Sequence, residues 1–136
     1  MIMQRSVNFS LRPERSQMAA TPKLRFRLML GSVIAIGPGK ADLLEAIAKT
    51  GSISAAARAM SMSYKRAWYL LDTMNRCFVE PVVVTTKGGR SQGGAALSPT
   101  GEKVLKRYRL IEAKAAAAVA SDVRAFDKWL MEKPEI

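Results

Sequence analysis

The sequence has no histidine and a single cysteine, Cys77. The first absence removes a histidine general base, a Cys/His zinc site and a histidine-bound haem. The second removes any internal disulfide framework and fits a reducing compartment, so the expected location is cytoplasmic. Cys77 falls late in a helical stretch and reads as a small apolar filler. Aromatic residues are scarce, at 7%, which with abundant alanine favours helices over a β-sandwich. No apolar run approaches the roughly 20 residues of a membrane span. Leu28 to Ile36, behind Arg25 and Arg27, imitates a signal-peptide core but is broken by Gly31-Ser32 and lacks a cleavage site. Acidic residues are few: 11 against 22 Lys and Arg, for a net charge of +11. Such an excess points to a polyanionic partner.

Phosphate-loop chemistry is excluded by position. Gly37-Pro-Gly-Lys40 would need glycine where Ile34 stands and Ser or Thr where Ala41 stands. The glycines at 88, 89, 93 and 94 lack the strand-to-helix setting of a dinucleotide fingerprint. Asp42 and Glu45 are helical neighbours on an exposed face and carry no catalytic case. Trp68 and Trp129 read as packing residues. The sequence thus predicts no enzyme, no cofactor and no metal site.

With 136 residues, the chain predicts one compact domain with room for an arm or a long helix. Residues 1–22 carry Arg5, Arg12 and Arg15 against Glu14, with Pro13 and Pro22 as breakers, and read as a flexible basic arm. From Leu24 the pattern alternates strictly. Leu24, Phe26, Leu28 and Leu30 fall on one side, Lys23, Arg25 and Arg27 on the other, as in a half-buried strand. Gly31-Ser32 suits a type II′ turn, with Val33 to Ile36 returning. A first helix is expected over 40–49, with Leu43, Leu44 and Ile47 inward, stopping at Thr50-Gly51.

Ser52-Ile-Ser-Ala-Ala-Ala-Arg-Ala-Met60 is the most telling stretch. It predicts a helix over 53–60 capped by Ser52, with Ala55, Ala56 and Ala57 allowing a neighbouring helix to cross closely. Ser63 then caps a further helix over 64–78. At 100° per residue Ala67, Leu71, Met74 and Phe78 share one face, while Lys65, Tyr69 and Arg76 lie opposite and Arg66 and Trp68 flank them. Two helices joined by a tight turn, the second with cations and amphipathic rings near its start, are what reading a DNA major groove requires. Val82 to Thr86 is a β-branched strand, Lys87 to Gly94 a Gly-rich basic loop, and Ala95 to Leu97 a short return. Together these make a wing. Between residues 61 and 95, Lys65, Arg66, Arg76, Lys87 and Arg90 outnumber Asp72 and Glu80. Ser98 or Thr100 can cap a last helix of 20 to 30 residues, with Pro99 in its first turn. Its near-heptad apolar positions, Val104, Tyr108, Ile111, Ala115, Ala118, Val123, Phe126 and Leu130, exceed what so small a domain can cover, implying a second copy. Ser121-Asp122 can interrupt it and cap a short terminal helix.

The expected architecture is therefore mainly α with small β elements: a winged helix-turn-helix over 23–98, an N-terminal β-hairpin, and a C-terminal dimerisation helix within 99–136. Several segments resemble the N-terminal DNA-binding domain of ModE-type molybdate-responsive transcription regulators. They are Gly39-Lys-Ala-Asp-Leu-Leu-Glu-Ala-Ile, Gly51-Ser-Ile-Ser-Ala-Ala-Ala, Met62-Ser-Tyr-Lys-Arg-Ala-Trp68, Met74-Asn75, Gly88-Gly89…Gly93-Gly94-Ala95 and Leu97-Ser-Pro-Thr-Gly101. The likeness covers about residues 23–113; a looser one to LysR-type domains covers only the helix-turn-helix and wing. The resemblance implies a homodimeric, sequence-specific regulator bound to double-stranded DNA and linked to molybdenum uptake. It places Ser63, Tyr64, Lys65 and Arg66 in the major groove and Lys87 to Gly94 on the wing. Tyr69, Lys87, Arg90 and Ser91 complete the expected DNA contacts. In two respects the sequence departs from the family: Arg90-Ser91-Gln92 stands where the family's wing is mostly glycine, and no counterpart of the C-terminal oxyanion-sensing domains is present. A protein–protein adaptor and a non-specific nucleoid-type DNA binder are the alternatives on the same fold.

Overall fold

A computed structural model of the chain describes residues 18–86 and 93–136. The expected arm over 1–22 therefore lies largely outside the described residues, as does most of the loop 87–94. The fold is mainly α with two small antiparallel sheets. In chain order the elements are β1 (Leu28–Leu30), β2 (Val33–Ile36), α1 (Pro38–Thr50), α2 (Ile53–Ala59), α3 (Tyr64–Asn75), β3 (Val83–Thr86), β4 (Gly94–Leu97), α4 (Pro99–Ala118) and α5 (Ala120–Arg124), followed by a 3-10 turn at Ala125–Lys128. The described chain divides into a compact unit over Arg25–Glu112 and a second unit made from its two ends.

The first unit holds the core. Leu43, Leu44 and Ile47 of α1 are fully buried with Ala56 of α2 and Ala67, Leu71 and Met74 of α3. Each set repeats at three or four residues, the spacing that keeps side chains on one helix face. Ala56 and Ala57 are buried while Ala55 is only half-buried, so two small residues rather than three form the close approach between α2 and α3. α1 packs against α2, α3 and β4, and β2 packs against α3. Helix boundaries follow local chemistry. Pro38 opens α1, where its missing N–H costs nothing. The Gly51 N–H, at φ 70°, closes the helix on the Ile47 carbonyl. Ser52 Oγ accepts from the Ala55 N–H at 3.1 Å, and Ser63 Oγ from the Arg66 N–H at 3.0 Å.

Val82 joins three elements. Its N–H donates to Asn75 Oδ1 at 2.8 Å and its carbonyl accepts from the Ser98 N–H at 3.0 Å. α3 ends at Asn75, three residues before Phe78, which packs on the core from outside the helix. Cys77 likewise lies beyond the helix and is half-buried. Ser98 caps α4 by accepting from the Gly101 N–H at 2.9 Å while its own hydroxyl donates to the Pro81 carbonyl.

Two expectations are corrected, and the last helix, at 20 residues, meets the lower bound of its expected length while breaking at a different residue. The first sheet begins at Leu28, not Leu24, and its register slips between Leu28 and Met29, leaving Ala35 as an extra residue in β2. Leu24, Leu28 and Leu30 are all exposed, and only Phe26 of the alternating set turns inward. The two-residue turn does form, with φ positive at Gly31 and not at Ser32, as type II′ demands. The long helix stops at Ala118, and Val119, with φ −110° and ψ 11°, separates it from α5; the break precedes Ser121-Asp122, and no side chain caps α5. The tryptophans are not core residues: Trp68 is 39% and Trp129 60% exposed.

Tyr108 anchors α4 to the chain entering the first hairpin. Its ring stacks on Phe26 at 4.5 Å between centroids, and its hydroxyl donates to the Phe26 carbonyl at 2.8 Å. Burial, then the charge of Glu112, raises its pKa above the usual phenol value. The folded state therefore holds the phenolic proton more tightly than the unfolded chain, and the associated stability is lost as pH rises above about 10. Tyr108→Phe is expected to cost about 1 kcal/mol at pH 7 and to flatten the decline in stability above pH 10. Urea unfolding across pH 7–11 measures both.

Candidate nucleic-acid interface

α3 is buried along one stripe only. Its opposite face and flanks present Lys65, Arg66, Tyr69 and Arg76 to solvent, with Ser63 and Tyr64 at its start. These are the residues the 3.6-residue period puts away from Ala67, Leu71 and Met74. The Arg66 guanidinium lies 5.7 Å from the Tyr69 ring centroid, a cation–π distance that orients the cation without neutralising it. Arg76 is engaged by Asp72 one turn earlier at 3.1 Å, which leaves the cations at the start of the helix as its principal positive charge. Of the expected contact residues, Ser63, Tyr64, Lys65, Arg66 and Tyr69 are thus brought together on one exposed surface. Lys87, Arg90 and Ser91 lie outside the described residues.

A cleft of about 310 Å³ opens beside Tyr64 and Trp68. The two rings meet edge to face at 6.2 Å. Ser54 and the Thr85–Thr86 end of β3 face them, with Gly94 of β4. The floor is held by backbone: the Ala95 N–H donates to the Gly51 carbonyl at 2.9 Å, and β3 and β4 pair from Val83–Leu97 to Thr86–Gly94. The hairpin base and the α1–α2 corner are thereby fixed to each other. Aromatic residues one turn apart at positions 64 and 68, followed by a Thr-Thr strand end, are the only trace of this cleft in the sequence.

Lys40, the residue that superficially suggests a phosphate loop, is turned inward. It is 8% exposed and its ammonium donates to the Ile34 carbonyl. Burial holds its pKa below the usual lysine value; Cys77 opposes that shift and the charge of Arg66 adds to it. Asp42 and Glu45, read as simply exposed, are both bound by Arg109 of α4, at 2.8 Å and 3.1 Å, and Glu112 adds a third contact at 2.9 Å. Burial alone would lower the Arg109 pKa, but these hydrogen bonds and charges outweigh it and raise it above the ordinary value. Asp42 and Glu45 hold α4 against α1, and no sequence spacing announces a partner more than 60 residues away. Among the described residues no group of His, Cys, Asp or Glu is placed to hold a metal ion, and no helix is long and apolar enough to cross a membrane.

No protein-family model matches the sequence. Curated proteins do. The chain is 46% identical over 99 residues to the molybdenum-pterin-binding protein MopB of Rhodobacter capsulatus, covering 73% of this chain and 35% of that protein. It is 41% identical over 107 residues to the molybdenum transport protein ModE of Azotobacter vinelandii, covering 71% and 40%. Against the transcriptional regulator ModE of Haemophilus influenzae it is 36% identical over 85 residues, covering 62% and 33%. Over the matched residues the chain is thus similar to ModE and Mop proteins. It spans between 33% and 40% of the length of these three relatives.

Proposed function

We propose that this chain is a homodimeric, sequence-specific DNA-binding transcription regulator built as a winged helix-turn-helix. In this reading α3 enters the major groove and the β3–β4 hairpin serves as the wing. The observation that carries it is the exposed cationic and aromatic start of α3, anchored by an opposite stripe that is fully buried. Lys65 and Arg66 are placed to contact base edges or flanking phosphates, and the excess positive charge supplies sequence-independent attraction. A ModE-like regulator of molybdenum uptake is the reading the relatives' names favour. Fluorescence-anisotropy titration of duplex DNA in a salt series tests it: log affinity should fall linearly with log salt concentration. Affinity indifferent to salt, or absent for every duplex, rejects DNA binding in favour of a protein–protein adaptor. Equal affinity for random and selected duplexes points to a nucleoid-type binder instead. Sites mapped ahead of molybdenum-uptake genes would extend the reading to physiology.

The dimer rests on apolar surface that the 25–112 unit leaves uncovered. Leu28, Met29, Leu30 and Val33 of the first hairpin are exposed, as are Leu110 and Ile111 of α4. Between them runs an apolar groove of about 280 Å³ lined by Phe26, Leu28, Phe78, Val104 and Ile111. Surface of this kind marks an interaction site, and a two-fold contact between copies would give a palindromic operator. Leu28→Glu with Ile111→Glu is expected to yield a folded monomer in sedimentation velocity. A double variant that sediments with the parent would reject this face as the contact.

A further inference from the structure

Resting on the DNA reading above, we propose that Tyr64 and Trp68 read thymine through its 5-methyl group, at the cleft between α3 and the β3–β4 hairpin. The exposed face of α3 determines which bases it can recognise. Lys65 and Arg66 offer donors suited to guanine O6 and N7. Adenine is read bidentately by Asn or Gln; α3 contains no Gln, and its Asn75 is committed to the Val82 N–H at 2.8 Å. An A·T pair facing this helix therefore meets no amide side chain free to fork onto adenine, and the one group that only its thymine carries is the 5-methyl.

The cleft supplies the matching surface. Tyr64 is 55% and Trp68 39% exposed, with their rings held edge to face at its mouth. Among the described residues its lining is neutral, with no Lys, Arg, Asp or Glu contributing to it. A neutral wall of ring faces and the hydroxyls of Ser54, Thr85 and Thr86 suits the uncharged part of a nucleotide better than a phosphate. At 100° per residue, Tyr64 and Trp68 lie on the flank of α3 that turns from its solvent face toward the hairpin. A base pair at the edge of the contacted groove would present its methyl there.

Selection from a random duplex pool with the full chain gives the sites to test. Each thymine is then replaced singly by deoxyuridine, which removes only the methyl. One position per half-site is expected to lose roughly three- to tenfold in affinity. 5-Methylcytosine at that position should bind more tightly than cytosine. Tyr64→Ala and Trp68→Ala should bind thymine and deoxyuridine duplexes equally, with Tyr64→Ala informative even if loss of the larger ring unfolds the chain. Lys65→Ala should weaken both duplexes and keep their ratio. Deoxyuridine tolerated at every position, or discrimination that persists in Tyr64→Ala and in folded Trp68→Ala, overturns the assignment while leaving DNA binding intact. Failure of the pool to enrich any duplex removes the DNA reading and this assignment with it.

Discussion

Gly101→Ala should lower the unfolding free energy by about 3 kcal/mol and the midpoint of thermal unfolding by roughly 10–20 °C. A β-carbon at position 101 would stand 2.0 Å from the Val82 carbonyl oxygen, 2.9 Å from its carbon and 3.2 Å from its Cα. All three are backbone atoms, so no rotamer change relieves the overlap. Either α4 retreats or Val82 does. Val82 is fully buried and bonded to Asn75 and Ser98, and retreat of α4 breaks the Ser98 cap. Gly39→Ala is the control: it stands in the first turn of α1, with nothing within 4 Å of the added carbon. It should be neutral or stabilise by up to about 1 kcal/mol. Thermal and urea unfolding of the two variants decide the matter, and a Gly101→Ala protein as stable as its parent would reject the close packing.

Lys65→Ala with Arg66→Ala is expected to weaken binding to a selected duplex by roughly 30- to 25,000-fold, on about 1–3 kcal/mol for each side chain that meets the DNA. The salt slope should become shallower by about 1–2, because fewer counterions are released. Stability should barely move, since both side chains are exposed and neither takes part in a salt bridge among the described residues. Weaker affinity with the slope unchanged would mean that these residues do not meet phosphate. Affinity unchanged would remove the face of α3 from the interface altogether.

How much was legible in the sequence follows from how local each determinant is. The caps Ser52, Ser63 and Ser98, and the buried sets of α1, α2 and α3, are set by neighbours within four residues, so spacing alone reveals them. The first strand departs from expectation because alternation reports that a face is apolar, not what covers it; Leu24, Leu28 and Leu30 find no cover within the unit. The end of α4 is illegible for the opposite reason. Ala115 to Ala118 all favour helix, and neither Gly nor Pro marks the break at Val119. The Arg109 contacts and the cleft beside Trp68 depend on chain separations that periodicity cannot encode. Of the expected contact residues, those on α3 are legible because a helix period assigns them a side; Lys87, Arg90 and Ser91 have only loop composition to support them.

Asn75 and Ser63 pin opposite extremities of α3, one through a strand amide and the other through the helix's own first turn. A rod clamped at both tips arrives at its target already shaped, so little of it needs to organise on contact. Recognition by this element would then resemble rigid docking, with fast association and selectivity expressed mainly in how long the complex survives.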